Sequence, residues 1–297
     1  MKTKAISHQI MRFPLSQIIL GMIICCGIVA IGQVGVIQLL KSTALDVGAK
    51  KLINGVVAAV LIVSSYVLWF RFYEKRPILE LSPTGMVGQL MAGIALGAVL
   101  QSLTILVIYL WGGFQVISTN SFRLVIPAMA GALVVAVFEE VIVRGILFRL
   151  IEKRWGSYVA LLLSALIFGV LHLANPNSSL IAALGLSIQA GLLLASAYIY
   201  TRSLWFPIAI HFAWNFTESG IFGAKVSGNV MNKSLFVTKI DGPAWLTGGE
   251  FGPEGSIQAT LFCLIATICL LLMSRRQNKL LPPARPRDLF YGDQMAQ

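Results

Sequence analysis

Charge is scarce in this chain. Of its 297 residues, 12% are Asp, Glu, Lys or Arg, 57% are hydrophobic, and the mean hydropathy is +0.81. A soluble domain carries about 25% charged residues, so the composition excludes an ordinary soluble domain and implies a polytopic membrane protein. Cysteine is sparse as well. Cys25, Cys26, Cys263 and Cys269 all lie in apolar runs and show no C-x-x-C spacing, which excludes a disulfide framework and a zinc-thiolate site. They read as small buried hydrophobes. The net charge of +11 comes without a basic patch interleaved with aromatics, so nucleic acid is not an expected partner. Internal repeats are also lacking, as are paired interrupted helices, and an inverted-repeat transporter would show both.

What is present is a series of apolar stretches about as long as the ~20 residues a spanning helix needs. The expected fold is all-α, a polytopic membrane protein with about eight transmembrane helices: Leu15–Leu40, Leu52–Phe70, Met86–Trp111, Phe122–Leu150, Tyr158–Leu173, Leu180–Tyr200, Leu204–Phe222 and Ser256–Ser274. The basic N-terminus before Leu15 resembles a signal peptide. The apolar run is too long for one and lacks a convincing small-residue cleavage site, so a retained first helix is expected. Asn175-Pro176-Asn177 is a stop signal after the short fifth helix. The chain divides into residues 1–121 (the first three helices), 122–222 (a four-helix core), 223–255 (an outer loop), and 256–297 (the last helix and a basic tail). The proline-containing tail from Arg275 is expected to be extended or disordered.

Basic residues set the orientation. With the N-terminus inside, Lys2, Lys4, Arg12, Arg71, Lys75, Arg76, Arg149, Lys153, Arg154, Arg202, Arg275, Arg276, Lys279, Arg285 and Arg287 face the cytoplasm, the majority of the 23 Lys and Arg. Both termini are then cytoplasmic, in a multi-pass protein of the cell membrane. Trp69, Trp111, Trp155 and Trp205 sit near helix ends as interface anchors. Gly93, Gly97, Gly185 and Gly191 read as helix-packing positions. His8 is terminal and reads as solvated.

Against this apolar background, Glu139-Glu140 stands deep in the fourth helix, and Arg144 follows one turn later. An ionised side chain at the centre of a membrane helix costs roughly 2.5–3.5 kcal/mol, so these groups must have partners or a wet cavity. Glu140 and Arg144 are four apart and share a face; Glu139 points about 100° away. Phe168 with His172, and His211 with Asn215, repeat the four-residue spacing. Glu139 lies about ten residues before the basic end of its helix, roughly 15 Å deep, and His211 roughly 10 Å. The three groups are therefore expected to meet in the cytoplasmic half of the bilayer. The acid not neutralised by Arg144 should hold its proton more tightly in such a cavity. A carboxylate beside imidazoles can take a proton from water, and His and Asn donors can stabilise an oxyanion.

Glu139-Glu140-x-x-x-Arg144, Phe168-x-x-x-His172 and His211-x-x-x-Asn215 resemble the three motifs of the CPBP intramembrane proteases. This family is also called Abi, or CAAX-protease and bacteriocin-processing, and includes the type II prenyl-protein endopeptidase. Neighbouring residues agree, including Gly145 after the arginine, Gly169-Val170-Leu171 before His172, and Trp205 ahead of His211. Val143 departs from the Phe that members often have there. The resemblance covers about Phe122–Phe222. It implies that Glu139 activates water with help from His172, that His211 and Asn215 form the oxyanion site, and that Glu140 and Arg144 shape and tune the first acid. No cofactor is expected. Zinc held by two His and a Glu is the alternative, although no H-E-x-x-H helix occurs.

Each residue alone also has a structural reading. Glu140–Arg144 is a buried ion pair that fixes packing, the histidines are hydrogen-bonded interior rings, and Asn215 is interhelical glue worth about 0.6 kcal/mol. Together they point to an intramembrane endopeptidase. Its partners are the lipid bilayer and a membrane-associated peptide or protein terminus, lipidated or not. The competing reading is a non-catalytic scaffold or bacteriocin-immunity-type protein of the same fold, and behind it a proton-coupled transporter.

Overall fold

The structure is a computed structural model that describes residues 14–229 and 233–284. Lys2, Lys4, His8, Arg12, Arg285 and Arg287 lie outside the described residues. The expected helices are present. They are α1 (Pro14–Lys41), α2 (Val47–Tyr73), α3 (Met86–Leu110), α4 (Ile126–Glu140, continued by a π-helical stretch Val141–Phe148) and α5 (Arg149–Leu171). They continue with α6 (Leu180–Thr201, π-helical over Ser187–Leu192), α7 (Trp205–Asn215, continued as π-helix Phe216–Ile221) and α8 (Ile257–Arg276). Among the described residues six segments are long and apolar enough to cross a membrane: Leu15–Lys41, Val47–Tyr73, Met86–Leu110, Phe122–Ala174, Leu180–Thr201 and Ile257–Arg276. The chain is a multi-pass membrane protein. Its outer surface is apolar to match, with Ile181 81% and Ile31 76% exposed.

Helix starts follow local chemistry. Asp46 caps α2 by accepting from the Ala49 amide at 3.0 Å, which begins the helix five residues ahead of the expected Leu52. Ser256 caps α8 in the same way. Between α4 and α5 the sequence suggests a loop, but the helix runs on and is broken by Gly156 alone (φ 80°, ψ 171°). This left-handed φ suits glycine, and a Cβ here would strike the Leu281 carbonyl and Pro282–Pro283 backbone at 2.8–2.9 Å. The tail packs into that corner. Ser157 N–H donates to Leu281 O (2.9 Å), Leu281 N–H to Ser157 Oγ (2.8 Å), and Ala284 N–H to Arg154 O (3.2 Å). As far as Ala284 the tail is therefore extended, as expected, and held in place.

α4 lies between α2 and α7; α3 runs along α7, α8 packs on α6 and α3, and α5 packs on α6. Gly97 and Gly93 let α3 approach α7: a Cβ on Gly97 would lie 2.3 Å from the Ile210 carbonyl, and one on Gly93 2.6 Å from Ala209 Cβ. Gly191 meets Ala165 as closely, whereas Gly185 has only ordinary contacts. Cys25 and Cys263 are buried, but Cys26 and Cys269 face outward on their helices, which corrects the reading of all four as buried.

The two ends of the bundle differ. At one end Arg76 pairs with Glu74 (2.7 Å) and Glu80 (2.6 Å), Arg149 with Glu74 (2.8 Å) and Arg202 with Glu152 (2.6 Å). Several of the basic residues that set the orientation are thus ion-paired. Burial acts to raise the Glu80 carboxyl, but Arg76 and the Tyr66 hydroxyl hold it below its ordinary range. At the other end β1 (Phe114–Thr119) and β2 (Phe236–Ile240) form an antiparallel pair with an irregularity between Val116 and Ser118. The helical reading did not include this pair. Only Phe114 of β1 is buried, so the strand carries no apolar alternation to reveal it.

Two outcomes are expected here. Gly97→Ala should destabilise the bundle by about 1–3 kcal/mol through overpacking against Ile210, while Gly88→Ala, with nothing within 4 Å, should not; thermal unfolding in detergent compares them. The Glu80 contribution is fully present above its unfolded pKa and is lost as pH falls through its lower folded value. Glu80→Gln should therefore flatten the acid side of the stability–pH curve.

Candidate active site

Three helices carry the candidates inward. Glu139 and Glu140 end α4, His172 follows the last turn of α5, and His211 and Asn215 lie on the buried face of α7. Glu140 and Arg144 are wholly buried, and their ion pair closes at 2.7 Å (Nη1 to Oε1). The second guanidinium nitrogen of Arg144 donates to the carbonyls of Ala190 (2.7 Å) and Gly191 (3.1 Å) in the π-helical stretch of α6. The Phe168 ring lies 5.1 Å from the guanidinium carbon, a cation–π contact.

Glu140 does more than neutralise Arg144. Its Oε1 also accepts from His211 Nδ1 at 3.0 Å. This link was not part of the sequence reading, which assigned Glu140 to the shaping of Glu139. Phe168 is a second hub. Its carbonyl accepts from His172 Nδ1 at 2.8 Å, and its ring lies 4.5 Å from the His172 ring and 6.5 Å, edge-on, from that of His211.

These bonds orient both imidazoles. A carbonyl can only accept, so His172 Nδ1 carries the proton, and the ionised Glu140 requires the same of His211 Nδ1. Each ring then turns its Nε2 to Glu139, and both Nε2 atoms lie 4.0 Å from Glu139 Oε2. That separation is long for a direct hydrogen bond and suits an oxygen bridging the three groups. The Glu139 side chain keeps 25% exposure beside the fully buried Glu140, so the adjacent acids occupy different environments.

A cavity of about 30 Å³ adjoins these groups, lined by Phe168, His172, His211 and Asn215 and by Gln189 and Trp214. It can hold roughly one water and is too small for a peptide. Its remaining polar wall is Ser227 and Glu254, from the segment between α7 and α8. Asn175 Nδ2, just past His172, donates to Ser227 O of that segment at 3.1 Å.

Glu218 and Glu254 were missed by sequence reading. Glu218 falls seven residues after His211 and three after Asn215, a helical spacing that could have found it. Glu254 has no such signal, because a long loop brings it in. Among the described residues no group of three or more His, Cys, Asp or Glu side chains is disposed as a metal ligand set.

Residues 121–217 match the family model described as Type II CAAX prenyl endopeptidase Rce1-like. The matched stretch contains all six candidates, and the CPBP resemblance is borne out over it. The matched family is one of endopeptidases. No curated protein and no solved structure matches the chain.

Removing one partner of the buried pair should be severe. Arg144→Met should cost about 3–5 kcal/mol by stranding the Glu140 charge, and adding Glu140→Gln should recover part of that loss. A double-mutant cycle on thermal unfolding measures the coupling.

Proposed function

We propose that this CPBP-type core makes the chain an intramembrane endopeptidase that cleaves a membrane-associated peptide or protein terminus with a water activated by Glu139. The observation that carries the reading is the convergence of His172 Nε2 and His211 Nε2 on Glu139 Oε2, each at 4.0 Å, with the other nitrogen of each ring already committed as a donor. A water between them can give one proton to Glu139 and the other, as a hydrogen bond, to the His172 Nε2 lone pair. Its oxygen is then directed at a carbonyl carbon placed in the cavity.

The developing oxyanion needs donors. In its imidazolium form His211 offers Nε2–H, with Glu140 as counter-ion at Nδ1; Asn215, one turn later on the same face, offers its amide. Arg144 holds Glu140 for this task through the 2.7 Å pair, as a positioning residue. In this reading the chemistry is metal-free, with every role carried by a protein side chain and water.

Both termini are proposed to be cytoplasmic by the distribution of basic residues. The cavity then lies under the outer segment, and a peptide enters as the walls of this small space separate. The type II CAAX prenyl endopeptidase match supports a substrate with a lipid-anchored end. Prenylated and unlipidated peptides are therefore both included in the test.

The test is a peptide mixture of both kinds offered to the purified protein in liposomes and read by mass spectrometry. Wild type should cleave. Glu139→Gln should lose about 10²–10⁴-fold in rate with unchanged thermal unfolding, and a chelator should leave the wild type unaffected. Undiminished cleavage by Glu139→Gln overturns the mechanism; loss on chelation overturns its metal-free form.

A further inference from the structure

Glu254, which lines the cavity together with the histidines, and its neighbour Glu218 form a second pair of acids that the mechanism above does not use. Glu218 is 0% exposed and Glu254 3% exposed. Glu218 Oε1 accepts from the Glu254 backbone N–H at 3.2 Å, and Ser227 Oγ donates to Glu254 Oε1 at 2.5 Å. Among the described residues no Lys, Arg or His forms an ion pair with either carboxyl. The titratable neighbours are His172, whose field reaches Glu254, and the buried Cys263. Gln189, 2% exposed, lines the same cavity, and its Oε1 has no hydrogen-bond partner.

Two close carboxylates without a cation, removed from water, cannot both be ionised. The pair must retain a proton, and burial pushes the Glu254 carboxyl up even against the Ser227 hydrogen bond. The pair shares that proton, and one of its members, Glu254, lines the cavity of His172, His211 and Asn215. Glu139 is already committed to the opposite transfer in the first step.

We infer that Glu254, sharing a proton with Glu218, is the general acid that protonates the leaving amine. The inference rests on the endopeptidase reading. In the first step Glu139 takes a proton from water as the new C–O bond forms, giving the tetrahedral oxyanion. In the second the oxyanion collapses, the C–N bond breaks, and the amine nitrogen takes the Glu254 proton. The Glu218–Glu254 pair is left one charge more negative. The proton on Glu139 returns to it through water once the products leave, and the net reaction adds one water across the amide bond. Base and acid are thus separate carboxyls, with Gln189 as the neutral acceptor beside the acid for a substrate N–H.

Two measurements test this. Infrared spectroscopy of the protein in liposomes at pH 7 should show the band of an un-ionised carboxyl, weakened in both Glu254→Gln and Glu218→Gln; a band unchanged in both overturns the inference. The second compares a quenched-fluorophore peptide taken from the cleaved mixture with its depsipeptide, which carries an ester at the scissile position. An alkoxide leaves with far less need of a proton. Glu254→Gln should lower amide turnover about 10²-fold or more and ester turnover far less. Glu218→Gln serves as the second variant if Glu254→Gln fails to fold, and should show the same split. Equal loss on both substrates means a structural role and overturns the inference, as does no loss on either. Glu139→Gln should lower both turnovers about 10²–10⁴-fold. If it does and the acid variants show no split, the base reading survives and only this inference falls; if it does not, the endopeptidase mechanism itself has failed.

Discussion

The Arg144 guanidinium, with no exposed surface, is the constraint on which the rest of this molecule depends. A bare cation at such depth is costly, so the fold must surround it with acceptors. Those acceptors come from separate helices: a carboxylate from α4, two carbonyls from α6 and an aromatic face from α5. Glu140 then passes the connection to His211 on α7. Four helices are fixed around one charge, and the catalytic candidates hang on its partners. Once Arg144 is held, Glu140 and Phe168 are held, and they in turn set the direction of both imidazoles.

This explains why so much of the site was legible in one sequence. A charged residue in an apolar helix is conspicuous, and four-residue spacing says which polar groups share a face, as with Glu140 and Arg144 or His211 and Asn215. Helix extents were readable because apolar length is a direct physical requirement of the bilayer. Features made by tertiary placement were not readable. Glu254 arrives through a long segment with no periodic signal, the Ala190 and Gly191 acceptors are backbone atoms, and the β1–β2 pair joins chain segments more than a hundred residues apart. The proline-containing basic tail reads as extended or disordered in sequence; as far as Ala284 it is extended, and what the sequence does not reveal is that its backbone finds partners at Arg154 and Ser157.

The π-helical stretches belong to the same logic. They fall at Val141–Phe148, Ser187–Leu192 and Phe216–Ile221, in the helices that carry Arg144, its carbonyl acceptors and Glu218. A widened turn disturbs the regular i to i−4 ladder and frees carbonyls, which inside a membrane must find other donors. Arg144 supplies donors to Ala190 and Gly191, and Arg149 supplies one to the Gly145 carbonyl at 2.9 Å. The irregular backbone and the buried arginine therefore satisfy one another. A lysine, with one compact ammonium, could not reach the Glu140 carboxylate and the α6 carbonyls with the same planar fork. The fold can hold the Glu140–Arg144 pair beside Glu139 in an apolar medium because the pair and the irregular backbone that satisfies it lie in adjoining turns.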